Sequence, residues 1–155
     1  MLITESLSRI KRYDFGFLAD RFAADHPAYA ARFGEYTLEL GKFLQLPLLC
    51  DGPLAAMSEG VDGVWHDFIV HTPQYRDFCQ EVYGGYLQHQ PRSALHPVPI
   101  AAISNFYTLY PQFFGPVPEI WFENIPTQCI EQIARGEVPE EVQLLRWSGW
   151  PGKGC

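Results

Sequence analysis

The chain has 155 residues, 47% of them hydrophobic and 15% aromatic, and a net charge of −7. That is enough apolar material for one folded core of ordinary domain size, and it excludes a disordered chain. The acidic balance argues against nucleic acid and anionic membrane surfaces as partners, since the one basic cluster, "RIKR" at Arg9 to Arg12, is short.

Helical spacing dominates the sequence from its start. A first helix is predicted over Thr4–Arg12, with Leu7 and Ile10 on one face. A second is predicted over Phe15–Ala24, where Phe15, Leu18 and Phe22 recur at helical spacing. The N-terminal stretch is polar and charged and has no apolar run of the kind a signal peptide needs.

"DHPAYAARFGEYTLELGKFLQLP" reads as a long helix opened by Asp25 and Pro27. Tyr29, Phe33, Tyr36, Leu40, Phe43 and Leu44 form its stripe, and Pro47 closes it. After a turn at Asp51–Gly52–Pro53, a further helix begins near Leu54, with Met57, Val61, Val64 and Phe68 on its buried face. Thr72 and Pro73 are expected to cap and start the next, whose stripe is Tyr75, Phe78, Cys79 and Val82, and Gly84–Gly85 ends it.

A Pro-rich loop, "QHQPRSALHPVP", precedes a helix from Pro99 carrying Ile100, Ile103, Phe106, Tyr107 and Tyr110, which Pro111 is expected to break or kink. "GPVPEIWFENIP" is irregular, with two aromatics expected to tuck beneath the body. Pro126 and Pro139 each open a further short helix. The tail "RWSGWPGKGC" has neither helical nor strand period. Strand alternation is weak throughout, so the expected fold is all-α: a single compact domain of about seven or eight short-to-medium helices over residues 1–145, followed by a C-terminal tail over 146–155.

The four cysteines, Cys50, Cys79, Cys129 and Cys155, are widely separated and make no zinc-ribbon spacing. Dispersed thiols and the absence of any membrane-length apolar run point to a cytoplasmic protein. No nucleophile elbow or phosphate-cradling glycine loop occurs.

Chemistry-bearing residues concentrate in Asp62 to Pro91. On a helix Asp62 and His66 are neighbours at i and i+4, so the carboxylate can accept the His66 Nδ1–H and leave Nε2 facing outward. His71 follows at the corner, His89 after the glycine pair, and Cys79 on the second helix. Two readings stand side by side. In one, His66, His71, His89 and Asp62 converge as ligands for zinc or another first-row transition metal. In the other, the Asp62–His66 pair stitches helices together and Cys79 is core.

The same stretch resembles the glycine-rich domain-containing protein-like family, in its N-terminal helical domain. Asp62, Trp65, His66, His71, Tyr75, Gly84 and His89 carry the resemblance. Where that family reads W-H-x-H the chain has Phe68, and where an Asp follows the later His it has Gln90, so two potential ligands are missing. The resemblance implies a helical fold and a shared motif rather than a reaction. With no complete catalytic set legible, the favoured expectation is a binding or accessory module for a protein or peptide partner, without catalysis of its own. The alternative is a metal-dependent protein or enzyme using the histidine cluster. Tyr83, Tyr86, Tyr107, Tyr110, Phe113, Phe114, Trp121 and Phe122 crowd the second half. Most are expected in the core, and any that are exposed would make a groove suited to a peptide or protein partner.

Overall fold

The computed structural model describes residues 2–55, 58–89, 100–123, 125, 132, 135 and 137. Among them the fold is all-α, as expected, with seven α-helices, three short 3-10 turns and no strand. The helices expected after Pro126 and Pro139, the tail over 146–155, Met57, Cys129 and Cys155 lie outside the described residues.

The helices are α1 (Ile3–Arg12), α2 (Ala19–Asp25), α3 (Phe33–Phe43), α4 (Leu46–Leu49), α5 (Glu59–Val70), α6 (Thr72–Tyr83) and α7 (Ile100–Phe114). The chain forms two compact units. Met1–Leu49 with Glu59–Gln88 make the first, and Cys50–Ser58 with His89–Cys155 the second.

In the first unit α5 is central: it packs against α3, α6, α2 and the 3-10 turn Gly16–Leu18. Gly60, Val61, Gly63, Val64, Trp65, Asp67 and Phe68 are all buried, so α5 has almost no solvent face. Glu59 and Asp62 occupy its first turn, where the helix dipole favours carboxylates. The α6 stripe is the expected one, Tyr75, Phe78, Cys79 and Val82, and Gly84 ends the helix at φ 70°. Phe15, Phe68, Phe78 and Tyr13 meet in a cluster of tilted and edge-to-face rings with centroids 4.8–6.5 Å apart.

Several boundaries differ from expectation. Asp25 ends α2 rather than opening α3, because Pro27 has no N–H and its ring holds His26 out of the helical region, at φ −133° and ψ 59°. The α-helix resumes only at Phe33, after a 3-10 turn at Ala30–Arg32. Leu54 and Ala55 are not helical, since the Ala55 N–H is already committed to the Ala102 carbonyl at 3.2 Å. His71 rather than Thr72 is the N-cap of α6, and Thr72 is the first helical residue.

In the second unit α7 runs on through Pro111 to Phe114. It buries Ala102, Ile103, Phe106, Tyr107 and Tyr110. The turn Glu119–Phe122 places Trp121 fully buried against Phe106, centroids 4.4 Å apart, and the Tyr107 hydroxyl donates to the Trp121 carbonyl at 2.6 Å.

Tyr36 of α3 lies flat on Gly60, where a Cβ would fall inside the ring's van der Waals envelope. Tyr36 is itself fully buried and has nowhere to retreat. Gly60→Ala is therefore expected to cost about 1–3 kcal/mol, as overpacked cores do, despite the better helix propensity of alanine. Urea unfolding of the variant beside wild type measures it.

Candidate functional site

The residues singled out in the sequence do not assemble as a metal site. His66 lies on α5, whereas His71 stands past its end, at the N-cap of α6, where the backbone is not helical (φ −80°, ψ 65°). His89 is half-buried and belongs to the second unit. Among the described residues no group of three or more His, Cys, Asp or Glu side chains is placed to hold a metal ion, which corrects the expectation of zinc or another first-row metal on His66, His71, His89 and Asp62. The missing ligands at Phe68 and Gln90 point the same way: Phe68 is a fully buried core ring.

A tautomer lock is present on His71. His71 Nδ1 lies 2.7 Å from the Asp67 carbonyl oxygen. A carbonyl only accepts, so Nδ1 carries the proton and Nε2 is the ring's acceptor.

Trp65 and Tyr75, the aromatic members of the motif, have a structural task. Trp65 Nε1–H donates to the Tyr75 hydroxyl at 3.3 Å, and that hydroxyl donates to the Leu87 carbonyl at 2.7 Å. The ten-residue spacing carries the chain from α5 round the His71 corner into α6, so that both side chains meet and tie down the segment after Gly84. Burial pushes the Tyr75 phenol far above its ordinary range and raises the Cys79 thiol. Burial likewise raises Tyr83, whose hydroxyl donates to the Leu44 carbonyl at 2.6 Å. These groups keep their protons, so Cys79 is core rather than a thiolate nucleophile.

The unusual chemistry of the first unit lies at residues the sequence did not single out. Asp67 of α5 has a side chain only 1% exposed. Its Oδ1 is 3.4 Å from Arg21 Nε, and Arg21 Nε also lies 3.1 Å from Asp25 Oδ2. Oδ2 of Asp67 is buried and has no hydrogen-bond partner among the described residues. Its nearest cationic candidate is His26 Nε2 at 4.0 Å, beyond hydrogen-bond reach. His26 comes this close because Gly63 leaves room, since a Cβ there would stand 3.0 Å from His26 Nε2. Phe22 backs the imidazole, centroids 5.0 Å apart. Burial raises the Asp67 carboxyl above its ordinary value; His26 and Arg21 oppose the rise and Asp25 adds to it.

A second feature is on the surface. Phe17 is 42% exposed and Val70 40%. The Phe17 ring is nonetheless fixed edge-on against Phe68 (6.0 Å), His71 (5.4 Å) and Tyr13 (6.5 Å). Asp14 holds this turn by accepting the Gly16 N–H at 2.8 Å.

The UCP032817-like family model matches residues 5–104, more than half of the chain, and the protein belongs to that family. The matched span includes His26, Trp65, Asp67 and Tyr75, and indicates no glycine-rich domain. No curated protein and no solved structure matches the chain. Among the described residues no helix is long and apolar enough to cross a membrane.

Two outcomes test this arrangement. Tyr75→Phe strands the Trp65 N–H and the Leu87 carbonyl, and is expected to cost about 1–3 kcal/mol in urea unfolding. For Asp67 the folded pKa is raised, so its contribution is fully present below the unfolded value and lost as pH rises through the folded one. Asp67→Asn cannot ionise; its stability relative to wild type is therefore expected to improve from about pH 4, near the ordinary aspartate value, to about pH 8. Paired unfolding curves at the two values read the sign.

Proposed function

We propose that the protein is a cytosolic binding or accessory module that engages a protein or peptide partner and performs no catalysis of its own. One observation carries this reading: the exposed Phe17 ring, fixed in place by Phe68, His71 and Tyr13. An aromatic ring held in one position in water loses little entropy on burial, which is what an interface anchor requires. Beside it the Nε2 acceptor of His71 supplies one directional polar contact, and Val70 adds apolar area. Cys50 and Cys79 are present as thiols, in keeping with the cytosol. The resemblance to the glycine-rich domain-containing protein-like family fits the same proposal, since Trp65 and Tyr75 serve the fold and leave recognition to the surface.

Phe17→Ala removes the anchor from an exposed position, so the fold is expected to survive with a loss near 1 kcal/mol or less. Binding is expected to weaken by about 2 kcal/mol or more, roughly thirtyfold, if Phe17 is a hot spot. The experiment identifies a partner by affinity capture, purifies it, and measures its dissociation constant for wild type and Phe17→Ala by calorimetry. Equal affinities, or turnover of a substrate by the pure protein, would overturn the reading.

A further inference from the structure

The four side chains Arg21, Asp25, His26 and Asp67 form a cluster whose charges do not balance by themselves. The two carboxylates face one guanidinium, and Arg21 Nε is shared between them, at 3.1 Å from Asp25 and 3.4 Å from Asp67. Adding one proton makes the cluster neutral. The place for that proton is marked by the buried Oδ2 of Asp67, which lacks a hydrogen-bond partner among the described residues, and by His26 Nε2, 4.0 Å away and 27% exposed. We propose that Arg21, Asp25, His26 and Asp67 are a proton-dependent latch between α2 and α5: one proton held by the Asp67–His26 pair closes the contact, and its loss loosens α2.

The Asp25 carboxyl lies close enough to Asp67 to compete for the proton and favours its uptake. Glu35, Glu39, Arg76 and Glu81, on other elements packed on α5, are engaged elsewhere. The turn Gly16–Leu18 has no charged side chain. On α3 the buried Glu39 is paired with Lys42 at 2.7 Å, and Glu35 with Arg32 at 2.8 Å. On α6 Arg76 pairs with Asp77 at 2.8 Å, and Glu81 lies 3.4 Å from Arg9 of α1. At the corner after α5, His71 is committed through Nδ1 to the Asp67 backbone carbonyl. Without the proton, a buried carboxylate oxygen is left with no donor, and the relief open to it is water admitted by movement of α2. α2 has seven residues, too few to persist without tertiary support, so it is the element that yields. It follows directly on the Gly16–Leu18 turn, so its loosening also reaches Phe17. The latch does not rest on Phe17 binding a partner.

The test uses the full wild-type chain. NMR titration that follows the Asp67 carboxyl carbon and the His26 ring nitrogens together is expected to show one shared inflection, above the ordinary aspartate range. Amide exchange across Ala19–Asp25, corrected for its intrinsic pH dependence, is expected to accelerate by about tenfold or more over that inflection, while α6 stays protected. Asp67→Asn and His26→Gln are each expected to flatten the change. Independent titration of the two groups, or pH-independent protection of α2, would overturn the latch. So would a folded Asp67→Asn variant that keeps the full pH dependence. The wild-type titration decides the matter even where a variant fails to fold.

Discussion

The close approach of two rings to the α5 backbone governs the first unit. Tyr36 lies on Gly60 at a distance that a Cβ would forbid, and the His26 imidazole stands over Gly63, where a Cβ would press on the ring at 3.0 Å. Glycine inside a helix costs about 1 kcal/mol relative to alanine, and α5 has two in adjacent turns. What offsets that cost is area: α3 comes near enough to bury Tyr36, Leu40 and Phe43 completely, and Phe43 reaches Trp65 at 5.3 Å. Flat contact on a glycine brings a neighbouring helix closer than ridges of side chains allow.

Enclosing a helix on every side forces its polar residues into the interior as well. Asp67 follows His66 in sequence, yet it turns inward while Val70, three positions on, is exposed. Its burial is tolerated because α2 brings Arg21 and His26 to it, and because the Gly63 notch admits the imidazole. The match is incomplete: one carboxylate oxygen has a cation and the other has a ring just out of reach. Packing alone gives no reason for this arrangement, since an apolar residue of similar size would fill the position without the desolvation cost of a carboxylate.

Helices with one apolar face were legible in the sequence because their period is local. The α6 stripe and its glycine stop, and the buried face of α7, needed nothing beyond 3.6-residue spacing. The start of α3 was misjudged because Asp25 and Pro27 look like an opening signal, whereas Asp25 closes the preceding helix. The candidate site was less legible. His66 and His71 drew attention by residue type, but one is on α5 and the other on the non-helical corner that follows it. His26 and Asp67 are 41 positions apart in sequence and meet only through the packing of α2 on α5. A glycine every third residue, at Gly60 and Gly63, was the one available signal that something would lie against that face of α5.

The motif itself bears on what kinship can say about chemistry. Trp65 and Tyr75 are tied to one another and to Leu87, and together they fix the corner between α5 and α6. A tie of this kind is needed by the fold whatever the protein binds, so these two aromatics speak for the corner rather than for an activity. Differences in function must then arise where the fold does not dictate the residue. In the first unit two places meet that condition. One is the rim of Phe17, Val70 and His71, where side chains stay partly in water. The other is the cluster around Asp67, where a charge is buried at a cost the core does not require.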